Sequence, residues 1–161
     1  MPGLCSKINM EYQTLLIGSV FAAIVHVVEE YKFGWINWAN EFISGITVKQ
    51  FVTVNAFFII LCITAAALSE IFIVFSSSVF SLLLMNSLAH IAPTIKYTKY
   101  SPGLISAVLL ITPTGIAGYT ILLRDDIITT NEFVLSIFIG AIWMCIPFVY
   151  QAIRIANERK A

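Results

Sequence analysis

The chain alternates between long apolar runs and short polar breaks. Five apolar runs are separated in this way, at about residues 13–31, 48–68, 71–95, 103–123 and 133–155. Each run is long enough for a helix that crosses a bilayer, which needs about 20 residues. The pattern predicts an all-α protein, a polytopic membrane helix bundle of about five transmembrane helices, with residues 1–161 forming a single membrane domain.

The polar breaks predict how neighbouring helices are joined. Trp35 and Trp38 lie in the first break and are typical of the headgroup level of a membrane. Only Ser69 and Glu70 separate the second and third runs, so we expect a tight helical hairpin there. Pro113 lies inside the fourth run and predicts a kink, which membrane helices tolerate when neighbours bond the freed carbonyl.

Composition supports a membrane protein and excludes several other classes. Apolar residues make up 59% of the chain and charged residues 11%, whereas soluble domains have about 45–50% and about 25%. The formal net charge is zero, so we expect no binding of nucleic acid. The expected partners are membrane lipids and an apolar small molecule.

The cysteines and the first apolar run indicate whether the chain is cross-linked or cleaved. The chain has three cysteines, Cys5, Cys62 and Cys145, and this odd number does not favour a disulfide framework. The first run ends in His-Val-Val-Glu-Glu without a small-residue cleavage site, so we expect a retained helix rather than a signal peptide.

The distribution of cations predicts an orientation in the membrane. With five spans, Lys7 and Arg124 lie on the side of the N-terminus. By the positive-inside rule, the N-terminus is then outside and the C-terminus inside, in the cell (inner) membrane. The more basic side holds Lys32, Lys49, Lys96, Lys99, Arg154, Arg159 and Lys160.

Ionisable residues inside apolar runs are costly and mark functional sites. The two histidines of the chain, His26 and His90, fall about five and six residues before the inner ends of their runs, so they lie at similar depth. His26 has Glu29 and Glu30 at positions i+3 and i+4, and His90 has Asn86 at position i−4. Each histidine therefore shares a helical face with an oxygen-bearing partner.

This set of residues allows two kinds of chemistry. His26, Glu30, Asn86 and His90 together could hold zinc, iron or manganese. Alternatively, Glu29 or Glu30 could act with His26 as catalytic residues that transfer protons to an apolar substrate. A third interpretation is purely structural, with hydrogen bonds of about 0.6 kcal/mol each between helices. The expected pocket residues, from the inner parts of other segments, are Asn55, Tyr100, Ser106 and Tyr150.

Several short motifs carry a family resemblance. The motif His26-Val27-Val28-Glu29-Glu30 is followed by Asn86-Ser87-Leu88-Ala89-His90, Tyr100-Ser101-Pro102-Gly103, Ser106 and Pro113. In the order and spacing of these pieces, over roughly residues 15–115, the chain resembles the HXXEE-domain family of small bacterial multi-pass membrane proteins, where a threonine is usual at the position of Ser106. The resemblance implies that the histidines, both glutamates and Asn86 are motif residues, and it implies no particular activity.

The sequence favours an integral membrane protein with a His/Glu/Asn site near the cytoplasmic face. Such a protein would be a metal-dependent or acid/base enzyme acting on a lipid or other apolar substrate. One alternative is a proton-coupled binding or transport protein, which would use the same residues as a relay. Another is an accessory or immunity-type membrane protein without chemistry.

Overall fold

The chain folds into five long helices and one short helix, as the computed structural model describes for residues 10–43 and 45–158. All five long helices are apolar enough to cross a membrane, which confirms the predicted all-α bundle. The first and last begin three residues earlier than predicted. The helices are α1 (Met10–Lys32), α2 (Trp35–Asn40), α3 (Val48–Ala67), α4 (Ile73–Tyr97), α5 (Leu104–Arg124) and α6 (Thr130–Glu158).

Some residues used in the sequence arguments lie outside the described part of the chain. Cys62 and Cys145 are described and are free thiols. The orientation in the membrane stays a prediction. Those outside the described ranges are Cys5, Lys7, Arg159 and Lys160.

Helix α4 is the centre of the bundle. In the most apolar 18-residue stretch of α4, 56% of the residues are buried, whereas in the corresponding stretch of α6 only 11% are buried. Glycines on the neighbouring helices allow the close approach: a Cβ on Gly118 of α5 would lie 2.5 Å from the Phe80 ring, and one on Gly140 of α6 would lie 2.6 Å from Ser81 Cβ. Small residues permit close helix packing in membranes, where apolar burial against lipid contributes little. Helix α1 packs on the other side, against α3 and α5.

Helix α5 is irregular in its first half. After one α-helical turn, Ala107–Ile111 is π-helical, and Thr112 N–H bonds to the Ala107 carbonyl. Pro113 follows directly, and its ring would clash with the carbonyl four residues earlier in a regular helix. The structure therefore shows a widened turn just before the residue where the sequence predicts a kink, and this turn directly follows Ser106.

The connection between α1 and α3 is more ordered than the sequence suggests. Helix α2 begins after Gly34, which is left-handed with φ of 74°. The Asn40 side chain donates to the Ile36 and Ile46 carbonyls and accepts from the Ile46 N–H. Phe42 stacks on Tyr97 of α4 with ring centroids 4.5 Å apart. The connection thus covers the end of the bundle where α1 and α4 finish, which we call the histidine end.

Candidate metal centre

Three ionisable side chains meet inside the histidine end. His26 and Glu30 lie one turn apart on α1, and His90 lies on α4. They are 1%, 5% and 3% exposed. Glu30 Oε1 is 3.7 Å from His26 Nε2 and 3.3 Å from His90 Nε2, and one possible ligand atom from each residue lies within 4.8 Å of the other two. We call these three residues the His/Glu cluster.

Both imidazoles are held by serine hydroxyls at the nitrogen that faces away from Glu30. His26 Nδ1 is 3.0 Å from Ser106 Oγ, and His90 Nδ1 is 3.0 Å from Ser101 Oγ. The Ser106 hydroxyl donates to the Gly103 carbonyl, so His26 donates its Nδ1–H to Ser106. In the neutral ring, His26 Nε2 is then an acceptor.

The His/Glu cluster is rich in acceptors for a buried site. Asn86 Nδ2 lies 3.0 Å from His26 Nε2 and donates to it. Glu30 Oε1 faces the Nε2 atoms of both histidines. A carboxylate oxygen and an imidazole lone pair this close repel each other unless a proton or metal ion lies between them. The cluster is therefore suited to binding a cation or to moving a proton.

Gly103 forms one wall of the cluster, whereas the sequence indicates it only as part of the Tyr100-Ser101-Pro102-Gly103 motif. Its φ is 99°, a left-handed conformation that favours glycine. A Cβ at this position would lie 2.8 Å from Cε1 of both histidines and 2.9 Å from Glu30 Cγ. Ser101, whose hydroxyl contacts His90, was likewise not predicted as a site residue. The sequence feature that could have indicated both residues is the Pro102-Gly103 break, which follows the helix that carries His90.

Glu29 lies outside the His/Glu cluster. Its carboxylate accepts hydrogen bonds from Tyr100 Oη at 2.6 Å, from Ile105 N at 3.1 Å and from Ser106 N at 2.7 Å. The two backbone N–H groups belong to the first turn of α5, so Glu29 caps that helix from α1. Burial, followed by the hydrogen bond to Glu29, raises the pKa of Tyr100 to about 12.

A cavity of about 760 Å³ adjoins the cluster between α3, α4 and α6. Glu30 and His90 are part of its wall, while His26 lies behind them. The rest of the wall is mainly apolar and aromatic, and it includes all three tryptophans of the chain. The aromatic wall residues include Trp35, Trp38, Phe51, Phe58, Tyr97 and Trp143.

The residues expected in the pocket have different places. Asn55 and Asn86 line the cavity next to Glu30 and His90. Ser106 is buried behind His26 and holds its ring. Tyr100 and Tyr150 are each 40% exposed and lie outside the cavity wall. The structure thus brings together both histidines, Glu30 and the two asparagines, and separates Glu29 and Tyr100 from them.

Comparison with known proteins identifies one family. Neither the curated proteins nor the solved structures contain a match to this chain. A family model described as a protein of unknown function with an HXXEE motif matches residues 17–117, well over half of the chain. The matched region contains His26, Glu29 and Glu30, which supply the motif, and also His90 and Gly103. The chain therefore belongs to the HXXEE family.

Proposed function

We propose that this protein is an intramembrane metalloenzyme that acts on a lipid or other apolar molecule bound in the cavity. One observation carries the proposal: two imidazoles and one carboxylate converge on one point, and a serine orients each imidazole through its other nitrogen. Metal-binding histidines characteristically use the second ring nitrogen in this way, because it fixes the ring and its tautomer.

The spacing of the ligand atoms supports binding of a divalent transition metal. In a tetrahedral site with bonds of about 2.0–2.2 Å, neighbouring ligand atoms lie about 3.4 Å apart. The distances from Glu30 Oε1 to His90 Nε2 and His26 Nε2, 3.3 Å and 3.7 Å, are close to this value. Two histidines and one carboxylate are a common catalytic set for zinc and for iron.

Asn86 supplies a fourth donor to this set. Its amide nitrogen faces His26 Nε2 at 3.0 Å. The nitrogen and oxygen of an amide group exchange places by a half-turn of the side chain, and both orientations fit the same space. After such a turn the amide oxygen of Asn86 would face an ion held by His26.

The cavity gives the centre a route to an apolar substrate. Glu30 and His90 lie on the cavity wall, whereas His26 lies behind them. An ion among the three side chains would be supported from behind by His26 and be reachable from the cavity side. A divalent ion supplies a Lewis acid, which polarises a substrate oxygen or activates water. We also propose that the histidine end faces the cytoplasm from the cell (inner) membrane, which a reporter fused after Lys160 would test.

Metal content of detergent-purified protein tests the proposal. We expect about one equivalent of zinc or iron by mass spectrometry, because the donor set suits one ion. The double variant His26→Ala/His90→Ala should contain none while keeping its helicity by circular dichroism. Glu29→Gln is the matched control, since it changes the neighbouring carboxylate outside the cluster. Wild-type protein that takes up no metal on incubation with zinc or iron would rule out the metalloenzyme.

A second candidate is proton transfer without a metal. It is supported by the contact between His90 Nε2 and Glu30 Oε1 at 3.3 Å, on the wall of an apolar cavity. A paired carboxyl and imidazole group in such surroundings could serve as general acid and base. Metal-free wild-type protein that converts a bound substrate would favour this candidate over the first.

A further inference from the structure

We infer that the cavity is loaded sideways from the bilayer, and that the hydrocarbon chain of a membrane lipid enters it through a gap between α3 and α6. The inference deepens the proposed function and rests on it, because it names the source of the molecule that reaches the His/Glu cluster. It follows from the packing of the three helices around the cavity, from the side chains at the gap and from the closure of the histidine end.

The packing of the helices leaves a gap on one side of the cavity. Helix α4 forms the back of the cavity, and both α3 and α6 pack against α4. Within the described ranges, the backbones of α3 and α6 scarcely approach each other. Their side chains meet at Phe57 and Trp143, whose ring centroids are 6.0 Å apart. Trp143 also donates to Ser78 Oγ near the start of α4 at 3.3 Å, so this contact bounds the gap at the end far from the histidine end.

Apolar side chains border the gap between this contact and the histidine end. Val54 of α3 and Met144, Pro147 and Phe148 of α6 line the cavity there. Phe148 is also 56% exposed, so the cavity wall continues at this residue onto the outer surface of α6. It lies about 15 Å before the end of α6, within the depth of a hydrocarbon core that is about 30 Å thick. The gap therefore faces lipid chains rather than water.

The histidine end of the cavity is closed by an ordered segment. Trp38, Phe42 and Ile46 belong to the connection between α1 and α3 and form part of the cavity wall. Three hydrogen bonds of the Asn40 side chain hold this connection in place, and Phe42 stacks on Tyr97 of α4. Entry from the water at this end would displace the whole segment. The gap between α3 and α6, in contrast, is crossed by one ring contact among the described residues.

Entry from the bilayer needs no passage through water. Lipid chains are as apolar as leucine side chains, so a chain that moves between the helices exchanges one apolar environment for another. At the gap it would lie between Val54 and Phe148. The polar groups of the wall, Asn55, Glu30 and His90, belong to the same cavity. A lipid can therefore bring one chain to the His/Glu cluster while the rest of the molecule stays in the membrane.

Photo-crosslinking from the bilayer tests this route. The probe is a phosphatidylcholine with a diazirine in one chain, incorporated into nanodiscs that contain the wild-type protein, and labelled side chains are mapped by mass spectrometry after illumination. Leu82 is buried in the bundle and lines the cavity, whereas its neighbour Leu83 is fully buried outside the cavity wall. We expect label on Leu82 and none on Leu83. Ile60, exposed on α3, reports labelling by the surrounding lipid in every sample.

Two matched variants locate the entrance. Val54→Trp places a large ring at the α3 edge of the gap and should lower the label on Leu82 at least about tenfold, the change in occupancy that about 1.4 kcal/mol produces. Val52→Trp, at an exposed position of the same helix outside the cavity wall, should leave Leu82 labelled as in the wild type. If Val54→Trp does not fold, Met144→Trp narrows the gap from α6, and Ile142→Trp on the exposed face of α6 is its control.

The outcomes separate this inference from the proposed function. An unlabelled Leu82 in wild-type protein whose Ile60 is labelled would overturn the entry route, as would equal label on Leu82 in the gap variant and its control. Metal content is measured in the same samples. Label on Leu82 that the gap variant removes, in a protein that takes up no metal, would support the entry route and remove the metalloenzyme. Metal uptake without label on Leu82 would do the reverse.

Discussion

Glu29 and Glu30 are adjacent in sequence and belong to two different regions of the molecule. Glu29, with Tyr100 and the first turn of α5, forms a helix cap whose donors are two backbone N–H groups and a phenol. Glu30 instead is buried between two imidazoles. The 100° turn between successive helical residues places one carboxylate at the start of a neighbouring helix and the other in the bundle interior.

The helix cap at Glu29 supports the His/Glu cluster. Ser106 belongs to both regions: its N–H donates to Glu29, and its hydroxyl contacts His26. Gly103, the residue before α5, lies against both histidine rings. By fixing the first turn of α5, Glu29 therefore positions the groups that hold His26. The motif thus places one carboxylate in the His/Glu cluster and one in the structure around it.

The largest difference between the two regions should appear with Glu30→Gln. The variant keeps the shape of the side chain and loses the charged ligand, so we expect metal affinity to fall at least about 100-fold, more than the 10–100-fold typical of an outer-shell change. Competition with a chelator, with helicity checked, measures the effect. Equal metal affinity in Glu30→Gln and Glu29→Gln would contradict the assignment of the two regions.

Gly103→Ala should damage both regions at once. A left-handed residue with a Cβ costs about 1–2 kcal/mol, and this Cβ would lie 2.8 Å from each histidine ring. We expect a lower unfolding temperature in detergent together with weaker metal binding. Gly18→Ala is the matched control, because a Cβ there meets nothing within 4 Å. A Gly103→Ala protein as stable as Gly18→Ala would show that the wall at Gly103 is wrongly described.

Glu29→Gln should reduce stability and weaken metal binding less than Glu30→Gln does. Loss of a charged cap at a helix N-terminus costs about 0.5–2 kcal/mol, which denaturant unfolding in detergent would measure. Glu41→Gln, at an exposed carboxylate that pairs with Lys99, provides the control and should change stability less. Loss of metal from Glu29→Gln at unchanged stability would instead place Glu29 in the cluster.

The smallest effect should come from Tyr100→Phe, and it should depend on pH. The phenol donates to Glu29, and its removal costs about 0.5–1.5 kcal/mol. Burial and this hydrogen bond raise the pKa of Tyr100 from 10.0 to about 12. The stabilisation is therefore complete below about pH 10 and is lost as the pH rises through about 12. Unfolding free energies of wild type and variant should converge over that range; a constant difference would contradict the contact.

The sequence was sufficient to predict the helices and part of the cluster. Apolar runs of membrane length give the five helices, and the i, i+4 spacing of His26 and Glu30 places both on one face. It could not show which of the two glutamates faces His90, because that depends on the rotation of α1 against α4. Nor could it show Ser101 and Gly103 as site residues, since their roles depend on how the chain turns between α4 and α5.

The low burial of α6 has a consequence for how this helix could differ between members of the family. All residues of the His/Glu cluster lie before α6, within the region that the family model matches. The same is true of the residues around the cluster: Asn55, Asn86, Ser101, Gly103 and Ser106. Helix α6 packs against α4 through Gly140, and its contribution to the site is cavity wall, from Trp143 to Ile155. Exchanging the last helix between family members should therefore change the cavity wall while the residues of the His/Glu cluster stay the same.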